Sequence, residues 1–249
     1  MDVAYQLGQV ACEALRTTVI NTTQLWCGNR FAKGLIRPQG TNFGIDAGLC
    51  RQIRKNINET VRRYRDIAGK ILSLPSILAR FEDIGTLSTE QAQLAGMTGM
   101  AARASGLTSD VRKTHPFQYF TALRHEIVAE KNGDVLSRLK QRFAEVEQSY
   151  RLVNRFLNLL EQSDNLLSRP EYSPQLKPQQ LCLSLTEGWR GEICHTIITD
   201  RKGNIARYKI KDPSLHNWLG LALAVRNQDI SDFPICNKSF NLSYCGHDL

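Results

Sequence analysis

The feature that most constrains the fold is segment 133–162, GDVLSRLKQRFAEVEQSYRLVNRFLNLLEQ, in which apolar residues return every three or four positions. This spacing places them on one stripe of an α-helix, with polar residues on the opposite side. Such a stripe must be covered by other elements, so the segment predicts a long core helix. The members of the stripe are Val135, Leu139, Phe143, Val146, Tyr150, Val153 and Leu160.

Two more segments have helical spacing. Residues 2–26 predict an amphipathic helix that begins almost at the start of the chain. The apolar residues from Ile53 to Leu74 predict a second long helix, which Pro75 interrupts or kinks. The stretch 28–48 between them is rich in Gly and turn residues and predicts a structured loop.

The middle of the chain has a weaker pattern. Segment 82–120 is predicted to be irregular with one short helix, which Ser88 caps because Gln91 three residues later completes a capping box. The stretch HEIVAE, residues 125–130, could be a strand.

The C-terminal third has β character. Segment 191–212 contains two β-rich runs around Asp-Arg-Lys-Gly-Asn, which predicts a hairpin. A Pro-rich connector, 169–180, precedes it, and segment 213–228 predicts a helix with Ser214 as its cap.

Together these elements predict an α+β fold that is mainly α: a bundle of long helices with a small β-hairpin unit near the C-terminus. We expect a helical core in residues 1–168, with an irregular insertion at 82–130. Residues 169–249 are expected to supply the hairpin unit, a helix and the C-terminal tail of the same domain.

Composition and charge limit the class of protein. The 249 residues are 42% hydrophobic with a formal charge of +8, which is typical of a globular rather than a disordered chain. No apolar run approaches the ~20 residues of a membrane span, and we expect no signal peptide. The seven cysteines lack C-x-x-C spacing, which favours a reducing, cytosolic environment.

The basic balance favours an acidic partner, which could be nucleic acid, an anionic membrane surface or an acidic subunit. The basic residues of segment 51–66 recur on a helix whose other face is apolar. This pattern favours a solvated helix face over a binding patch, and we expect no nucleic-acid partner.

Familiar enzyme motifs are absent from the sequence, which contains no P-loop, no dinucleotide-binding glycine motif, no H-E-x-x-H and no G-x-S-x-G. The five histidines do not pair at metal-ligand spacing. Cys194 could form a catalytic pair in space with His195 or His216, although isolated Cys and His residues are more often structural.

The C-terminal tail holds residue types that bind metals. Cys236 and Cys245 stand close to His247 and Asp248. Thiolates and imidazoles ligate transition metals, so the tail could form a metal site. The alternative is that these are ordinary residues near a chain end.

Five stretches, in this order, resemble the superfamily of nickel–iron hydrogenase large subunits and the 49-kDa-type protein of NADH–quinone oxidoreductase. Membrane-bound hydrogenases of the formate hydrogenlyase type look nearest. The stretches are GNRFAKGLIRPQG (28–40), GTLSTEQAQLAGMTGMAARASGLTSDVRKTHPFQYF (85–120), GDVLSRLKQRFAEVEQSYRLV (133–153), EGWRGEICHTIITDRKGNIARYKIKDPSLHNW (187–218) and ISDFPICNKSFNLSYCGHDL (230–249).

The resemblance implies roles for individual residues. Arg190, in EGWRGE, takes the place of the arginine that overhangs the hydrogenase metal, and is the candidate catalytic residue; its alternative is an ion pair with an acidic neighbour. Arg103, Asp110 and Arg112 match the family's R-A-S-G…D-x-R motif. They are candidate cofactor-binding residues, or else hold a tight turn by charge-assisted hydrogen bonds.

The tail departs from the family pattern. Hydrogenases of this type end near S-L-D-P-C-x-x-C, and in that register the two cysteine positions hold Ser243 and Gly246, with Cys245 between them. A nickel–iron centre needs thiolates, which serine and glycine do not supply. We therefore expect no metal site in the chain, and regard His247 and Asp248 as surface residues.

The resemblance also implies that the family's N-terminal half, with its first cysteine pair and much of its quinone pocket, lies outside this chain, as expected for a split, truncated or excised product. We expect the C-terminal part of a membrane-associated, hydrogenase-like or NADH–quinone-oxidoreductase-like electron-transfer complex. The alternative is a non-catalytic scaffold or assembly protein that kept the fold. A basic nucleic-acid-binding module is a third hypothesis, which only the net charge supports.

The resemblance further implies an oxidoreductase only as part of a complex, so the isolated chain should be inactive. No cofactor is expected in this chain, whereas the family implies a nickel–iron centre or quinone, iron–sulfur clusters in a partner subunit, and NAD binding by the complex. The implied partners are a small iron–sulfur subunit, membrane-arm subunits and quinone. The implied location is cytoplasmic, peripheral on the inner face of the membrane.

Overall fold

The computed structural model describes residues 5–38, 40–117, 119–123, 125–162 and 175–247. They form two compact units, one drawn from the described residues of 5–75 and 146–162 and the other from those of 76–145 and 175–247. The predicted class is confirmed, because long helices dominate and the strands form two small antiparallel sheets. The division of one domain at residue 168 stays a prediction.

The first unit consists of helices α1 (Gln6–Cys27) and α2 (Ala47–Ser73) and the last turns of α8 (Val135–Glu161). Helix α1 ends at Gly28, whose φ of 69° is left-handed, and the Asp46 carboxylate caps α2 by accepting from the Leu49 N–H. These ends confirm the two helices and the loop predicted between them, which contains the two-residue strands β1 (Ile36–Arg37) and β2 (Gly40–Thr41).

A small apolar core holds this unit together. Ile45, Cys50, Ile53 and Leu157 are buried against one another. Around the core, the Arg54 guanidinium binds the Glu161 carboxylate at 2.6 Å, and Arg65 binds Glu147 through two hydrogen bonds of 2.7 Å. Val153 and Leu160, which belong to the predicted apolar stripe of α8, pack against this core.

The second unit begins after α2, where Pro75 opens the short helix α3 (Pro75–Leu78), as the predicted interruption requires. The capping box of Ser88 and Gln91 is confirmed at the start of α4 (Thr89–Leu94). The prediction of one short helix in 82–120 was wrong: α5 (Gly99–Ala104), α6 (Val111–Thr114) and α7 (Tyr119–Ala122) follow, too short to show a period in the sequence.

The predicted strand at 125–130 was wrong, because that segment has no regular structure. Its polar groups are used locally instead. The Val128 carbonyl accepts a 2.7 Å hydrogen bond from the Gln141 amide, and the His125 ring lies 3.3 Å from the Asp110 carboxylate. The Gln141 side chain thus takes up one carbonyl that a strand ladder would need.

Three antiparallel strands form the main sheet, in the order β3 (Leu181–Gly188), β4 (Gly191–Thr199) and β5 (Ile205–Lys211). The hairpin predicted at 191–212 corresponds to β4 and β5. Strand β3 was not predicted, although LCLSLTE alternates apolar and polar residues as a strand does. Residues 169–174 of the predicted connector lie outside the described residues.

Helix α9 (Pro213–Ala224) follows the sheet, and its cap is Asp212 rather than the predicted Ser214. The Asp212 carboxylate accepts from the Ser214 N–H at 2.7 Å. A 3-10 turn (Ile230–Asp232) leads into α10 (Phe233–Phe240), and a second one spans Cys245–His247. None of the helices in the described part of the chain is long and apolar enough to cross a bilayer.

Candidate functional site

The R-A-S-G segment begins in the last turn of α5, with Ser105 as the C-cap of the helix, and all residues of α5 are buried, including the charged Arg103. Gly99 opens the helix with a φ of 69°, and a Cβ there would lie 2.2 Å from the Arg190 carbonyl oxygen. Only glycine allows this close approach of α5 to the β3–β4 turn. The approach places the Arg103 guanidinium in the interior, 2% exposed.

Arg103 is the central cation of a buried ion cluster. Its Nε donates to Glu145 Oε1 at 2.8 Å, and its Nη1 donates to Glu187 Oε1 at 2.9 Å. Nη1 also donates to the Ser109 carbonyl at 2.9 Å and lies 3.7 Å from Asp110 Oδ2. A buried guanidinium is stable only with partners of this kind, and Arg103 has several.

Asp110 forms the second half of the cluster. It caps α6 by accepting from the Arg112 N–H, and its carboxylate also receives the Arg112 Nε and Nη2 at 2.9 and 2.5 Å. His125 Nε2 lies 3.3 Å from Asp110 Oδ2, and both side chains are nearly fully buried. The Val111 N–H donates to Glu187 Oε2 at 3.0 Å, which ties the start of α6 to β3.

The electrostatics follow from these contacts. Burial alone would raise the pKa of Asp110, but hydrogen bonds from Arg112 and His125 and the charges of Arg112 and Arg103 hold it well below its usual range. Burial alone would lower the pKa of Arg103, whereas Glu145 and Glu187 raise it above its ordinary value. Asp110 and Arg103 are therefore both held in their charged forms at neutral pH.

The predicted trio of Arg103, Asp110 and Arg112 does come together. Three further residues complete the cluster and were not predicted from the sequence: Glu145, Glu187 and His125. Glu145 and Glu187 lie 42 and 84 positions from Arg103, so no spacing rule could have paired them. The one signal in the sequence was the position of Glu187 as the first residue of the EGWRGE stretch.

The candidate catalytic residue, Arg190, lies at the two-residue turn between β3 and β4. Its Nε donates to the Asn241 carbonyl, so this partner is a backbone group rather than the expected acidic neighbour. The Arg190 carbonyl in turn accepts from Asn217 Nδ2 at 3.2 Å. Arg190 thus connects the hairpin turn to the C-terminal tail.

Two further arginines, both on α8, converge on the end of α10. Arg138 is fully buried, and its Nε donates to Ser239 Oγ at 2.8 Å. Burial lowers its pKa to about 10. Arg142 Nη2 donates to the carbonyls of Ser239 and Phe240 at 2.7 and 3.2 Å. Cations at a helix C-terminus satisfy its free carbonyls and oppose its dipole.

The two positions predicted to correspond to the family's cysteines, Ser243 and Gly246, are held by local hydrogen bonds. The Ser243 N–H donates to Ser214 Oγ at 3.0 Å, and Ser243 Oγ accepts from the Gly246 N–H at 3.1 Å. A Cβ on Gly246 would lie 2.5 Å from Asp212 Cγ. A thiolate at position 246 would therefore displace the carboxylate that caps α9, and these residues do not fit a nickel–iron centre.

The other metal-binding residue types of the tail are separated. Cys236 is fully buried, which raises the pKa of its thiol, whereas Cys245 is exposed. Asp248 and the side chain of His247 lie outside the described residues. Within the described part of the chain, no three His, Cys, Asp or Glu side chains cluster as metal ligands do.

The possible Cys–His pairs do not form in the described structure. Cys194 and His195 are neighbours on β4, so their side chains point to opposite faces of the sheet. His195 Nδ1 lies 2.6 Å from the Tyr208 hydroxyl, and Cys194 lies 4.0 Å from the Thr196 hydroxyl. Burial lowers the pKa of His216, and its Nε2 atom has no partner among the described residues.

Most of the chain matches one known protein family. Residues 2–180 match the sequence model of the family described as the 49-kDa subunit of respiratory-chain NADH dehydrogenase. This match includes the R-A-S-G and D-x-R segments and the helix that carries Glu145. The match confirms the predicted family resemblance for the stretches that contain Arg103, Asp110 and Arg112, whereas Arg190 lies beyond the matched residues.

Individual relatives are distant but cover most of the chain. A subunit of the NADH-quinone oxidoreductase of Herpetosiphon aurantiacus is 26% identical over 91% of this chain and 62% of its own length. Formate hydrogenlyase subunit 5 of Escherichia coli is 26% identical over 92% of this chain and 40% of its own length. The 49 kDa subunit of the NADH-ubiquinone oxidoreductase of Reclinomonas americana is 27% identical over 82% and 58%. The chain thus spans between two fifths and two thirds of these curated relatives.

Proposed function

This chain belongs to the family of the 49-kDa subunit of respiratory-chain NADH dehydrogenase, and we propose that it is the C-terminal part of an electron-transfer complex subunit without nickel ligands. The complex would be of the NADH–quinone oxidoreductase or membrane-bound hydrogenase type, because relatives named for an NADH-quinone oxidoreductase and for a formate hydrogenlyase match most of the chain.

The observation that carries this proposal is the way the family-like stretches meet. Arg103 and Asp110 come from one stretch, Glu145 from the next and Glu187 from a third, and together they form one ion cluster with paired charges. A buried cluster of this kind fixes the relative positions of its elements, since an unpaired charge inside would be costly. The chain therefore retains the frame of the family.

The residues at the tail argue for a subunit without hydrogen chemistry. Ser243 and Gly246 supply no thiolate, and the space beside Gly246 belongs to the Asp212 carboxylate. We propose that Arg190 is a positioning residue that holds the tail through the Asn241 carbonyl. Arg103, Asp110 and Arg112 are proposed to hold the fold rather than to bind a cofactor.

The remaining parts of the proposal follow from the family. A small iron–sulfur subunit would be the electron-transfer partner, and membrane-arm subunits would place the chain on the cytoplasmic face of the membrane. Quinone would be reduced where several subunits meet, and NAD would be bound elsewhere in the complex. The chain on its own would have no activity.

Affinity purification from the native source tests this function. A chain tagged at its N-terminus, with the rest of its genomic locus intact, should copurify with an iron–sulfur subunit and with membrane-arm subunits in constant proportion. The Arg103→Met variant of the same strain is the matched control and should lose them, because the frame of the subunit is broken. Recovery of the wild-type chain without iron–sulfur protein, or only with unassembled precursors, would overturn the proposal in favour of a scaffold or assembly protein.

A further inference from the structure

The sheet of the second unit has one face that combines apolar and basic residues. The strand register places Leu181, Ile198 and Arg207 in one row across the sheet, and Leu183, Thr196 and Lys209 in the next. Alternation along each strand keeps both rows on the same side. We call this side the basic sheet face; its members are Leu181, Leu183, Thr196, Ile198, Arg207 and Lys209.

The basic sheet face is open to solvent. Leu181 and Leu183 are 64% and 63% exposed, and Ile198 is 40% exposed. Toward its other end the same side of the sheet is covered, where Glu187 binds Arg103. Contiguous exposed apolar side chains on a sheet mark an interaction surface far more often than scattered ones do.

Charge distinguishes this face further. Arg207 and Lys209 are exposed, and neither forms an ion pair within the described residues. The two acidic residues on this side of the sheet are already engaged, Glu187 by Arg103 and Glu192 by Lys211 at 3.8 Å. The face therefore presents an apolar column on β3 and β4 beside an uncompensated basic column on β5.

We propose that the basic sheet face docks an amphipathic helix of another subunit, with apolar residues against β3 and β4 and acidic residues along β5. This inference rests on the proposed function, since it requires a complex. Three strands about 4.8 Å apart present a surface about 10 Å wide, which matches the diameter of one helix. Both columns run along the strands, so a helix lying parallel to them meets each column along its length.

An anionic membrane surface shares the charge requirement but fits the shape less well. An element that inserts into a bilayer surface buries apolar side chains about 5–10 Å into the boundary between headgroups and acyl chains. The turn between β4 and β5, residues 200–204, reads Asp-Arg-Lys-Gly-Asn and offers none. The apolar residues lie instead on the flat of the sheet, where a helix would cover them.

Site-specific photocrosslinking in the native complex tests the proposal. A benzoylphenylalanine at position 183 should yield an adduct with one other protein of the complex, mapped to a helical segment with acidic residues on one edge. Ser184, exposed on the opposite face, is the matched control position and should yield at least tenfold less of that adduct. The double change Arg207→Glu and Lys209→Glu should reduce the adduct at least tenfold.

A second control separates local from overall charge. Arg201→Glu with Lys202→Glu alters the net charge equally, but in the turn outside the face, and should leave the adduct within twofold. The proposal fails if the adduct is with lipid, if it is insensitive to the Arg207 and Lys209 changes, or if none forms although iron–sulfur protein copurifies in the same sample. Loss of copurification in the unmodified strain would instead contradict the proposed function.

Discussion

The ion cluster and the C-terminal tail both resemble the family in sequence, but they differ in how completely their polar side chains match the family pattern. In the cluster, the carboxylates of Asp110, Glu145 and Glu187 all have cationic partners. In the tail, the two positions that we propose to correspond to the family's cysteines hold Ser243 and Gly246, and arginines bind the backbone. The frame of the fold thus rests on mutually dependent charges. Under the proposed function, the metal chemistry of the hydrogenases depends instead on a few side chains that this chain lacks.

Substitution of Arg103, the central cation of the cluster, should have the largest effect on stability. Arg103→Met would take a cationic partner from the buried carboxylates of Asp110 and Glu187 and from the partly exposed carboxylate of Glu145. We expect a loss of about 3–5 kcal/mol in the free energy of unfolding. Denaturant unfolding followed by circular dichroism measures it. Arg63→Met, at an exposed position of α2, is the control and should change stability by less than about 0.5 kcal/mol. Equal effects of the two changes would contradict a structural role for the cluster.

Substitution of an arginine that binds the tail should lower the free energy of unfolding less than substitution of Arg103. Arg142→Met removes hydrogen bonds to the carbonyls of Ser239 and Phe240 and the stacking of the guanidinium 4.8 Å above the Trp189 ring. We expect a loss of about 2 kcal/mol, with faster amide exchange confined to α10 and the tail. Arg151→Met, exposed on the same helix, should leave both unchanged. Unaltered amide exchange in α10 of the Arg142 variant would contradict a stabilising role of Arg142 at the tail.

The pH dependence should come from the cluster. The folded-state pKa of Asp110 is depressed, so its stabilisation is complete above the unfolded-state pKa of about 3.9 and is lost as the pH falls below it. Unfolding free energy should fall by about 1.4 kcal/mol per pH unit below about pH 4 on account of this one group. Asp110→Asn should flatten that slope, and Asp66→Asn, at an exposed position, should not. The same slope in both variants would contradict the assignment.

The smallest expected effect is at the altered cysteine position. Gly246→Ala should cost about 1 kcal/mol, because its Cβ displaces the Asp212 carboxylate from the start of α9. In a double-mutant cycle with Asp212→Ala, the two losses should be clearly less than additive. Additive losses would mean that the Asp212 carboxylate does not fill the space beside Gly246.

Sequence alone predicted the long helices, because the apolar periodicity of α8 and the ends of α1 and α2 are local features. It placed Arg103, Asp110 and Arg112 together only through the family resemblance. Glu145 and Glu187 could not be predicted, since folding brings them from distant positions. The strand expected at 125–130 was wrong. There the Val128 carbonyl binds Gln141 and the His125 ring lies beside Asp110, and a local sequence pattern contains neither contact.

The most direct test of the central claim is the nickel content of the natural complex. The tagged chain should be purified anaerobically from its native source, with any maturation proteins present, together with its iron–sulfur partner, and analysed for metals by mass spectrometry. The account predicts iron in proportion to the iron–sulfur partner and no nickel bound to this chain. One nickel per chain, retained after gel filtration, would contradict it.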